Sequence, residues 1–235
     1  MTLQGNTLFA GDSITVGLAP FVRVDGEKMT VAKGGQSSAQ LLVMLRGPDA
    51  QAQLARAKNM VVLIGTNDIG GGTSIPTLVQ TITSIWAVAK SRGIRLFAMT
   101  VPPVKGYTGF RDFGAVNARR KLLNASLENA AANHGVDTLI DLSALLADPA
   151  DPDRLARNHD SGDHLHPRKD TMGALLTSVL SDAGAHSQAP LVARQPFPWV
   201  NVFLLVGIAV GGTILLARKD SFGSSVASRV LQRIS

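Results

Sequence analysis

Three residues at opposite ends of the region before residue 170 are of the types that nucleophilic catalysis needs. Ser13 follows a short apolar run in the turn Gly-Asp-Ser, and Asp163 and His166 lie together in the segment Asp-His-Leu-His-Pro. A serine hydroxyl becomes a good nucleophile when an imidazole takes its proton and a carboxylate holds that imidazole in one tautomer. Taken singly, each segment is also an ordinary turn, because Gly, Asp and Ser are common turn residues.

The histidine-rich segment has a second interpretation, which is a metal site. Besides His166 it contains His159, Asp160 and His164, whose side chains are of the types that bind zinc. No HExxH motif or comparable ligand spacing accompanies them. Clustered imidazoles and carboxylates are also common in polar loops. We therefore expect no resident metal and no cofactor.

Two further loops carry groups that can stabilise negative charge. Asn67 lies in Gly-Thr-Asn-Asp directly after the most hydrophobic strand candidate, and its amide can donate to an oxyanion. Gly34 and Gly35 follow the second strand candidate, where the lack of a side chain lets a backbone N–H approach a substrate. Ligands of an open parallel sheet bind outside the carboxyl ends of its strands. Both loops would therefore lie at the same edge as Ser13, although each alone is also a plain loop.

Alternating strands and helices would position these loops. Apolar runs bounded by glycine or proline predict five strands, at residues 7–10, 29–32, 60–64, 94–101 and 136–142. Apolar residues at helical spacing predict helices at residues 75–90, 117–133 and 171–180. Strands that alternate with helices imply right-handed crossovers and a parallel sheet covered by helices.

The four loops, in this order, resemble the motif blocks of the SGNH (GDSL) hydrolase family. The matching segments are Gly-Asp-Ser at 11–13, the glycine after the second strand, Gly-Thr-Asn-Asp at 65–68 and Asp-x-x-His-Pro at 163–167. The resemblance spans residues 7–183. It implies an α/β fold, namely a three-layer α/β/α sandwich with a mostly parallel, flavodoxin-like five-stranded sheet. It also implies hydrolysis of carboxylic esters or thioesters without a metal or cofactor.

The resemblance also assigns roles to individual residues. It implies that Ser13 is the nucleophile, that His166 is the general base and that Asp163 is the acid that orients His166. The oxyanion hole would then consist of the backbone N–H groups of Ser13 and Gly35 together with the Asn67 amide. Gly35 is the better match to the family's glycine than its neighbour because it directly precedes the Gln-Ser-Ser run.

The sequence changes character after the expected esterase domain, residues 1–183. Residues 184–198 are rich in Ala, Gln, Pro and Ser, which indicates a linker. Residues 199–217 contain no charged side chain and as a helix would reach roughly 28 Å, close to the ~30 Å hydrocarbon core of a bilayer. Trp199 at one end and Arg218 at the other are typical of a transmembrane helix. A buried core helix is the alternative.

The remaining features of this region concern association and topology. Gly207 and Gly211 form a GxxxG pair, which would let two such helices associate. Residues 218–235 form a basic tail whose apolar residues fall near one helical face. The tail's charge favours a cytoplasmic location for it, yet the N-terminus does not resemble a secretory signal. We expect a membrane-associated protein with a single-pass C-terminal anchor. The sequence does not decide on which side of the membrane the esterase domain lies, and the membrane could be that of a virion.

The composition of the chain limits which kinds of site and which partners we expect. The chain has no cysteine, which removes disulfides, thiolate metal sites and cysteine nucleophiles. Lys and Arg number 23 against 17 Asp and Glu, but the basic residues are scattered, so we expect no nucleic-acid partner. The expected substrate is a small-molecule, lipid or glycan ester, either a lipid acyl ester or a carbohydrate O-acetyl ester. The alternative function is a non-catalytic binding or structural membrane protein built on this domain.

One more loop lies beside the predicted edge. Residues 103–114 carry the aromatic side chains of Tyr107, Phe110 and Phe113. A lid over the substrate and a loop pinned in place by its aromatic residues are equally consistent with this pattern.

Overall fold

A five-stranded parallel sheet forms the centre of the computed structural model, which describes residues 2–185. In chain order the strands are β1 (Leu3–Gln4), β2 (Thr7–Gly11), β3 (Val24–Asp25), β4 (Lys28–Ala32), β5 (Asn59–Leu63), β6 (Arg95–Met99), β7 (Thr138–Ile140), β8 (Ala147–Asp148) and β9 (Asp151–Leu155). The central sheet has the order β4-β2-β5-β6-β7, and every neighbouring pair is parallel. This is the strand order of flavodoxin-like doubly wound folds. The predicted sheet is confirmed.

Helices connect the strands of this sheet. They are α1 (Ser13–Leu18), α2 (Ser38–Arg46), α3 (Pro48–Arg56), α4 (Thr66–Gly70), α5 (Ile75–Lys90), α6 (Phe113–Asn133), α7 (Leu142–Leu146) and α8 (Lys169–Ala185). A 3₁₀ turn, Ala19–Phe21, follows α1. The short strands outside the central sheet form two ribbons, β1 with β3 in parallel and β8 with β9 antiparallel.

Helices cover both faces of the sheet, which gives three layers. Side chains alternate across a strand, so Leu8 of β2 packs on one face and Phe9 on the other. The first face packs against α2, α3, α5 and α6, and the second against α1, α7 and α8. Every residue of β2 and β5 is buried. That burial explains why these strands are nearly continuous apolar runs in the sequence.

The predicted helices differ from the structure mainly at their ends. Helix α5 has the predicted bounds, residues 75–90. The prediction for α6 was wrong at its start: the helix begins at Phe113, because the Asp112 side chain accepts a hydrogen bond from the Ala115 N–H and caps it there. The last helix, predicted at 171–180, runs from Lys169 to Ala185 and so continues past the predicted domain end at 183.

The described residues do not reach the predicted membrane segment. Within residues 2–185, no helix combines the length and the apolar character needed to cross a membrane. The linker beyond residue 185, the predicted transmembrane helix at 199–217 with its Gly207 and Gly211, and the tail at 218–235 lie outside the described residues.

Candidate active site

Ser13 directly follows Asp12 at the carboxyl end of β2, which is an interior strand of the sheet. The preceding residue, Asp12, caps α1 by accepting a hydrogen bond from the Ile14 N–H at 3.0 Å. Ser13 is therefore the first residue of a helix, and the N–H of such a residue has no acceptor within its own helix. The hydroxyl and the N–H of Ser13 thus lie side by side at the edge of the sheet where ligands of doubly wound folds bind.

The structure brings His166 and Asp163 to Ser13. Ser13 Oγ lies 2.9 Å from His166 Nε2, and His166 Nδ1 lies 2.6 Å from Asp163 Oδ2. Because Nδ1 faces a carboxylate, it carries a proton, and the lone pair of Nε2 faces the serine hydroxyl in the neutral imidazole. The contact between Ser13 and His166 joins positions 153 residues apart in the sequence.

The Asp163 carboxylate is stabilised in its ionised form by its own loop. Partial burial opposes ionisation, but the His166 ring and the backbone N–H groups of His166 and Leu165 donate to the carboxylate. These hydrogen bonds outweigh the burial and hold the pKa of Asp163 at about 2. Asp163 is therefore an anion at every pH at which the protein would work.

The pKa of Asp12, the residue before Ser13, is shifted in the opposite direction. Its side chain is fully buried, and burial raises the pKa of Asp12 to about 6 even though the Ile14 N–H donates to it. The nearby Asp68 carboxylate acts in the same direction as burial. A buried acid with a raised pKa thus lies directly behind Ser13.

Asn67 lies in α4, which follows β5. Its amide Nδ2 donates to the Gln36 carbonyl at 3.0 Å, in the loop that follows β4. The next residue, Asp68, reaches the same loop: its carboxylate accepts the Ser38 N–H at 2.9 Å and the Ser38 hydroxyl at 2.8 Å. Strand β2 lies between β4 and β5. These contacts therefore join the two loops on either side of Ser13.

The sequence prediction missed the contributions of Gln36, Ser38 and Asp68. All three belong to segments that the sequence singled out, the Gly-Gly-Gln-Ser-Ser run and Gly-Thr-Asn-Asp. The contact between Asp68 and Ser38 can be inferred only once the loops after β4 and β5 are known to be neighbours. Gln36, Ser38 and Asp68 are 2%, 1% and 4% exposed. The hydrogen bond to the Gln36 carbonyl orients the Asn67 amide, and the buried contact of Asp68 with Ser38 holds α4 against the same loop.

Gly35 lies in a turn beside these contacts. The Gln36 N–H donates to the Lys33 carbonyl at 3.2 Å, which closes the turn around Gly34 and Gly35. Gly35 has φ +72°, a left-handed conformation that glycine adopts without steric cost. Neither Gly35 nor Asn67 forms a hydrogen bond with Ser13 in the part of the chain that the structure describes.

The other histidines of the segment do not reach Ser13. His164 Nδ1 lies 2.5 Å from Asp160 Oδ2, so the loop contains a second histidine–aspartate pair. His159 is partly buried, and burial lowers its pKa. Across residues 2–185, no group of three or more His, Asp or Glu side chains is arranged to hold a metal ion. Of the four residues considered for a metal site, Asp160 pairs with His164, His166 pairs instead with Asp163, and His159 belongs to neither pair.

The fold and the site together define a class. A doubly wound parallel sheet presents a serine, a histidine and an aspartate in hydrogen-bonded series at the carboxyl edge of its strands. Next to the serine are backbone and side-chain amides at the ends of the two neighbouring strands. This arrangement is that of a serine hydrolase.

The chain belongs to the GDSL-like lipase/acylhydrolase family, whose sequence profile matches residues 9–173. It is a serine ester hydrolase. The fold is similar to that of a GDSL-like lipase from Bacteroides thetaiotaomicron, with 22% identity, a TM-score of 0.64 and coverage of 76% of this chain and 89% of that one. A lipase/acylhydrolase from Enterococcus faecalis is similar at 17% identity and TM-score 0.61, with coverage of 77% and 96%.

A third similar structure is that of the psychrotrophic esterase EstA from Pseudoalteromonas sp., at 14% identity and TM-score 0.52, with coverage of 78% of this chain and 96% of that one. A comparison with curated protein sequences gives no match. At these identities the structural likeness shows the fold, and the family assignment rests on the sequence profile.

Proposed function

We propose that the protein hydrolyses carboxylic esters through a catalytic triad of Ser13, His166 and Asp163. The observation that carries this proposal is the unbroken series of contacts from Ser13 Oγ to His166 and on to Asp163, at 2.9 Å and 2.6 Å. Ser13 Oγ attacks the ester carbonyl carbon while His166 Nε2 takes the hydroxyl proton. The ionised Asp163 stabilises the resulting imidazolium.

The acyl-enzyme then forms and breaks down in balanced steps. The tetrahedral intermediate expels the alcohol, which receives its proton from His166, and leaves the acyl group bonded to Ser13 Oγ. A water molecule next attacks the acyl carbonyl carbon while His166 takes a proton from that water. Collapse of the second intermediate releases the carboxylic acid, and the proton returns to Ser13 Oγ.

The proposed oxyanion hole consists of the N–H groups of Ser13 and Gly35 and the Asn67 amide. Asn67 uses one of its two N–H bonds on the Gln36 carbonyl, which leaves the second for the substrate oxygen. The Asp68 carboxylate holds the Gln36 loop against α4 through Ser38. Donors fixed in this way stabilise charge that develops only in the transition state.

The proposed substrates are a lipid acyl ester or a carbohydrate O-acetyl ester, and the proposed location is a membrane surface. Residues 199–217 support an anchor because they carry no charge and are flanked by Trp199 and Arg218. An anchor of this kind would keep the domain near lipids and envelope glycans. Sedimentation of the full chain with membranes, compared with a chain ending at residue 185, tests the anchor. An equal distribution of the two proteins would refute it.

The central test of the function is hydrolysis of p-nitrophenyl acetate and butyrate by the full chain and its Ser13→Ala variant. Turnover by the wild type and its loss in the variant is the expected result. Ser161→Ala, which removes another hydroxyl that contacts Asp163, is the matched control and should keep most of the activity. If folded wild-type protein turned over neither ester, binding without catalysis would replace this proposal.

A further inference from the structure

The loop that carries His166 also carries His164, and the two histidines are held in similar ways. Asp160 Oδ1 accepts the N–H groups of Gly162 and His164 at 2.8 and 3.0 Å, and its Oδ2 contacts the His164 ring. Asp163 makes the equivalent contacts with the ring and backbone of His166. The His166 ring continues to Ser13, whereas the His164 ring has no part in the proposed hydrolysis.

His164 adopts an unusual backbone conformation. With φ +64° it is the one non-glycine residue of the described chain in the left-handed region. This conformation brings a side chain close to its own backbone, so a histidine here is sterically unfavourable. Such a residue persists where its surroundings determine its position strongly. In this case the surroundings are Asp160 on one side and Gly106 on the other.

The His164 ring packs directly on the backbone of Gly106. A Cβ atom built on Gly106 would lie 2.9 Å from Cγ and 3.0 Å from Cδ2 of His164, closer than real side chains approach. Gly106 itself has φ +104°, which also requires glycine. The imidazole therefore occupies the space that any other residue at position 106 would need.

Gly106 belongs to residues 104–110, here called the aromatic loop. The loop follows β6, whose neighbour in the sheet is β5, so it lies at the edge that carries the proposed oxyanion hole. Tyr107 and Phe110 contact each other edge to face with ring centres 5.0 Å apart. The Phe110 ring lies against Gly70, the last residue of α4. The aromatic loop thus spans from the His166 loop to the helix of Asn67.

The start of the aromatic loop is held from a third direction. The Lys105 N–H donates to the Asp153 carbonyl at 2.9 Å, and the Lys105 ammonium lies 2.7 Å from the Asp151 carboxylate. Both acceptors belong to β9. Both ends of the aromatic loop are therefore held by other contacts. His164 determines the position of the turn between them, which contains Gly106 and Tyr107.

We propose that His164, held by Asp160, is a positioning residue that fixes the aromatic loop beside the loop of the catalytic base and so sets the acyl preference of the cleft at Ser13. The part concerning acyl preference rests on the proposed function. His164 acts through the Gly106 contact and does not transfer a proton in the reaction. Its loss changes the shape of the cleft and leaves the series from Ser13 to Asp163 in place.

The first test follows the aromatic loop without reference to activity. Tyr107 is the only tyrosine in the chain, so 3-fluorotyrosine labelling gives a single ¹⁹F resonance that reports on this loop. We use His164→Gly, because glycine adopts the left-handed conformation freely and removes the ring without straining the fold. The resonance should shift or broaden in this variant. It should not change in His134→Ala, which removes an exposed histidine that contacts Trp86.

The second variant separates the side-chain pair from the backbone cap. Asp160→Asn keeps an oxygen for the Gly162 and His164 N–H groups and changes only the group that faces the imidazole. It should shift the ¹⁹F resonance in the wild-type background and have no further effect in His164→Gly. Residues that act through one contact are non-additive in this way. An unmoved resonance in His164→Gly, or an undiminished Asp160→Asn effect in that background, would overturn the proposal.

Kinetics with p-nitrophenyl esters of increasing acyl length test the consequence for the substrate. His164→Gly should raise KM for the preferred ester about tenfold, leave kcat within about twofold, and flatten the acyl-length profile. A merely structural role would lower thermal stability and leave KM and the profile unchanged, which would refute the assignment of acyl preference. Failure of the proposed function itself would appear separately, either as folded wild-type protein that hydrolyses no ester or as hydrolysis that Ser13→Ala does not abolish. The ¹⁹F experiment would still decide whether His164 positions the loop.

Discussion

The buried carboxyl group that precedes Ser13 makes the stability of the protein depend on pH. Asp12 is fully buried, and its pKa is raised from the ordinary value of 3.8 to about 6 by that burial. The informative change is Asp12→Asn. Its side-chain oxygen can still accept the Ile14 N–H at the start of α1, but the side chain cannot ionise.

The size and sign of the effect follow from proton linkage. Between about pH 4 and pH 6 the folded protein keeps a proton on Asp12 that the unfolded chain releases, so the free energy of unfolding falls as the pH rises through this range. A pKa difference of one pH unit corresponds to about 1.4 kcal/mol. A pKa near 6 in the folded state against 3.8 in the unfolded chain gives a total loss of about 3 kcal/mol by neutral pH.

Urea denaturation of wild type and Asp12→Asn at several pH values, followed by circular dichroism, measures this loss. All other titrating groups are common to both proteins, so the difference between their unfolding free energies isolates Asp12. That difference should shift by about 3 kcal/mol in favour of the variant between pH 3 and pH 8. Asp25→Asn, at an exposed position, shows what any such substitution does at the surface. A difference that is independent of pH would refute the reasoning.

Substitutions at three further positions test the residues around Ser13. Asn67→Ala should reduce kcat about 10²- to 10³-fold in steady-state ester hydrolysis, and a loss below tenfold would exclude its amide from the oxyanion hole. Asp68→Ala leaves the buried Ser38 N–H and hydroxyl without acceptors and should cost about 2–4 kcal/mol in urea denaturation, with a smaller cost for Asp68→Asn. Asp163→Asn favours the wrong tautomer of His166 and should lower kcat by about 10⁴ without unfolding the protein, as circular dichroism would verify.

The parts of the fold that could be predicted are those in which burial and sequence pattern coincide. Helix α5 shows regular apolar spacing between a serine cap and a glycine, and its bounds were predicted to the residue. Strand β6 was predicted as residues 94–101 but ends at Met99. Beyond it Val101 is still buried, but its N–H and carbonyl bond the Asn124 side chain instead of a neighbouring strand. An apolar run therefore predicts burial more reliably than it predicts strand pairing.

Two of the helices that the sequence analysis did not predict, α1 and α2, differ in whether the sequence carries a signal for them. Helix α1 begins at Ser13 and consists of Ser-Ile-Thr-Val-Gly-Leu, a composition with low helix propensity. Its helical form depends on the Asp12 cap and on packing of Ile14 and Leu18 against the sheet. Helix α2 had a readable signal, the capping box formed by Ser37 and Gln40, which was hidden by the glycine-rich loop before it.

The site divides in a similar way. Ser13, Asp163 and His166 could be singled out by residue type, because a serine nucleophile requires a base and an orienting acid, and the resemblance to SGNH hydrolases assigned their roles. The contacts from Asn67 to Gln36 and from Asp68 to Ser38 could not be predicted in this way. They cross the end of β2, and which loops face each other there depends on the order of strands in the sheet.

Ser13 and His166 lie far apart in the sequence, so the contact between them forms late in folding. Asp163 and His166 are assembled locally, but they reach Ser13 only when α8, which follows them directly, packs beside α1 and β1. During synthesis, residue 13 emerges from the ribosome well before residues 163–166. Until α8 packs beside α1, the Ser13 hydroxyl therefore lacks the imidazole that contacts it in the folded domain. Under the proposed mechanism, ester hydrolysis begins only after α8 has docked.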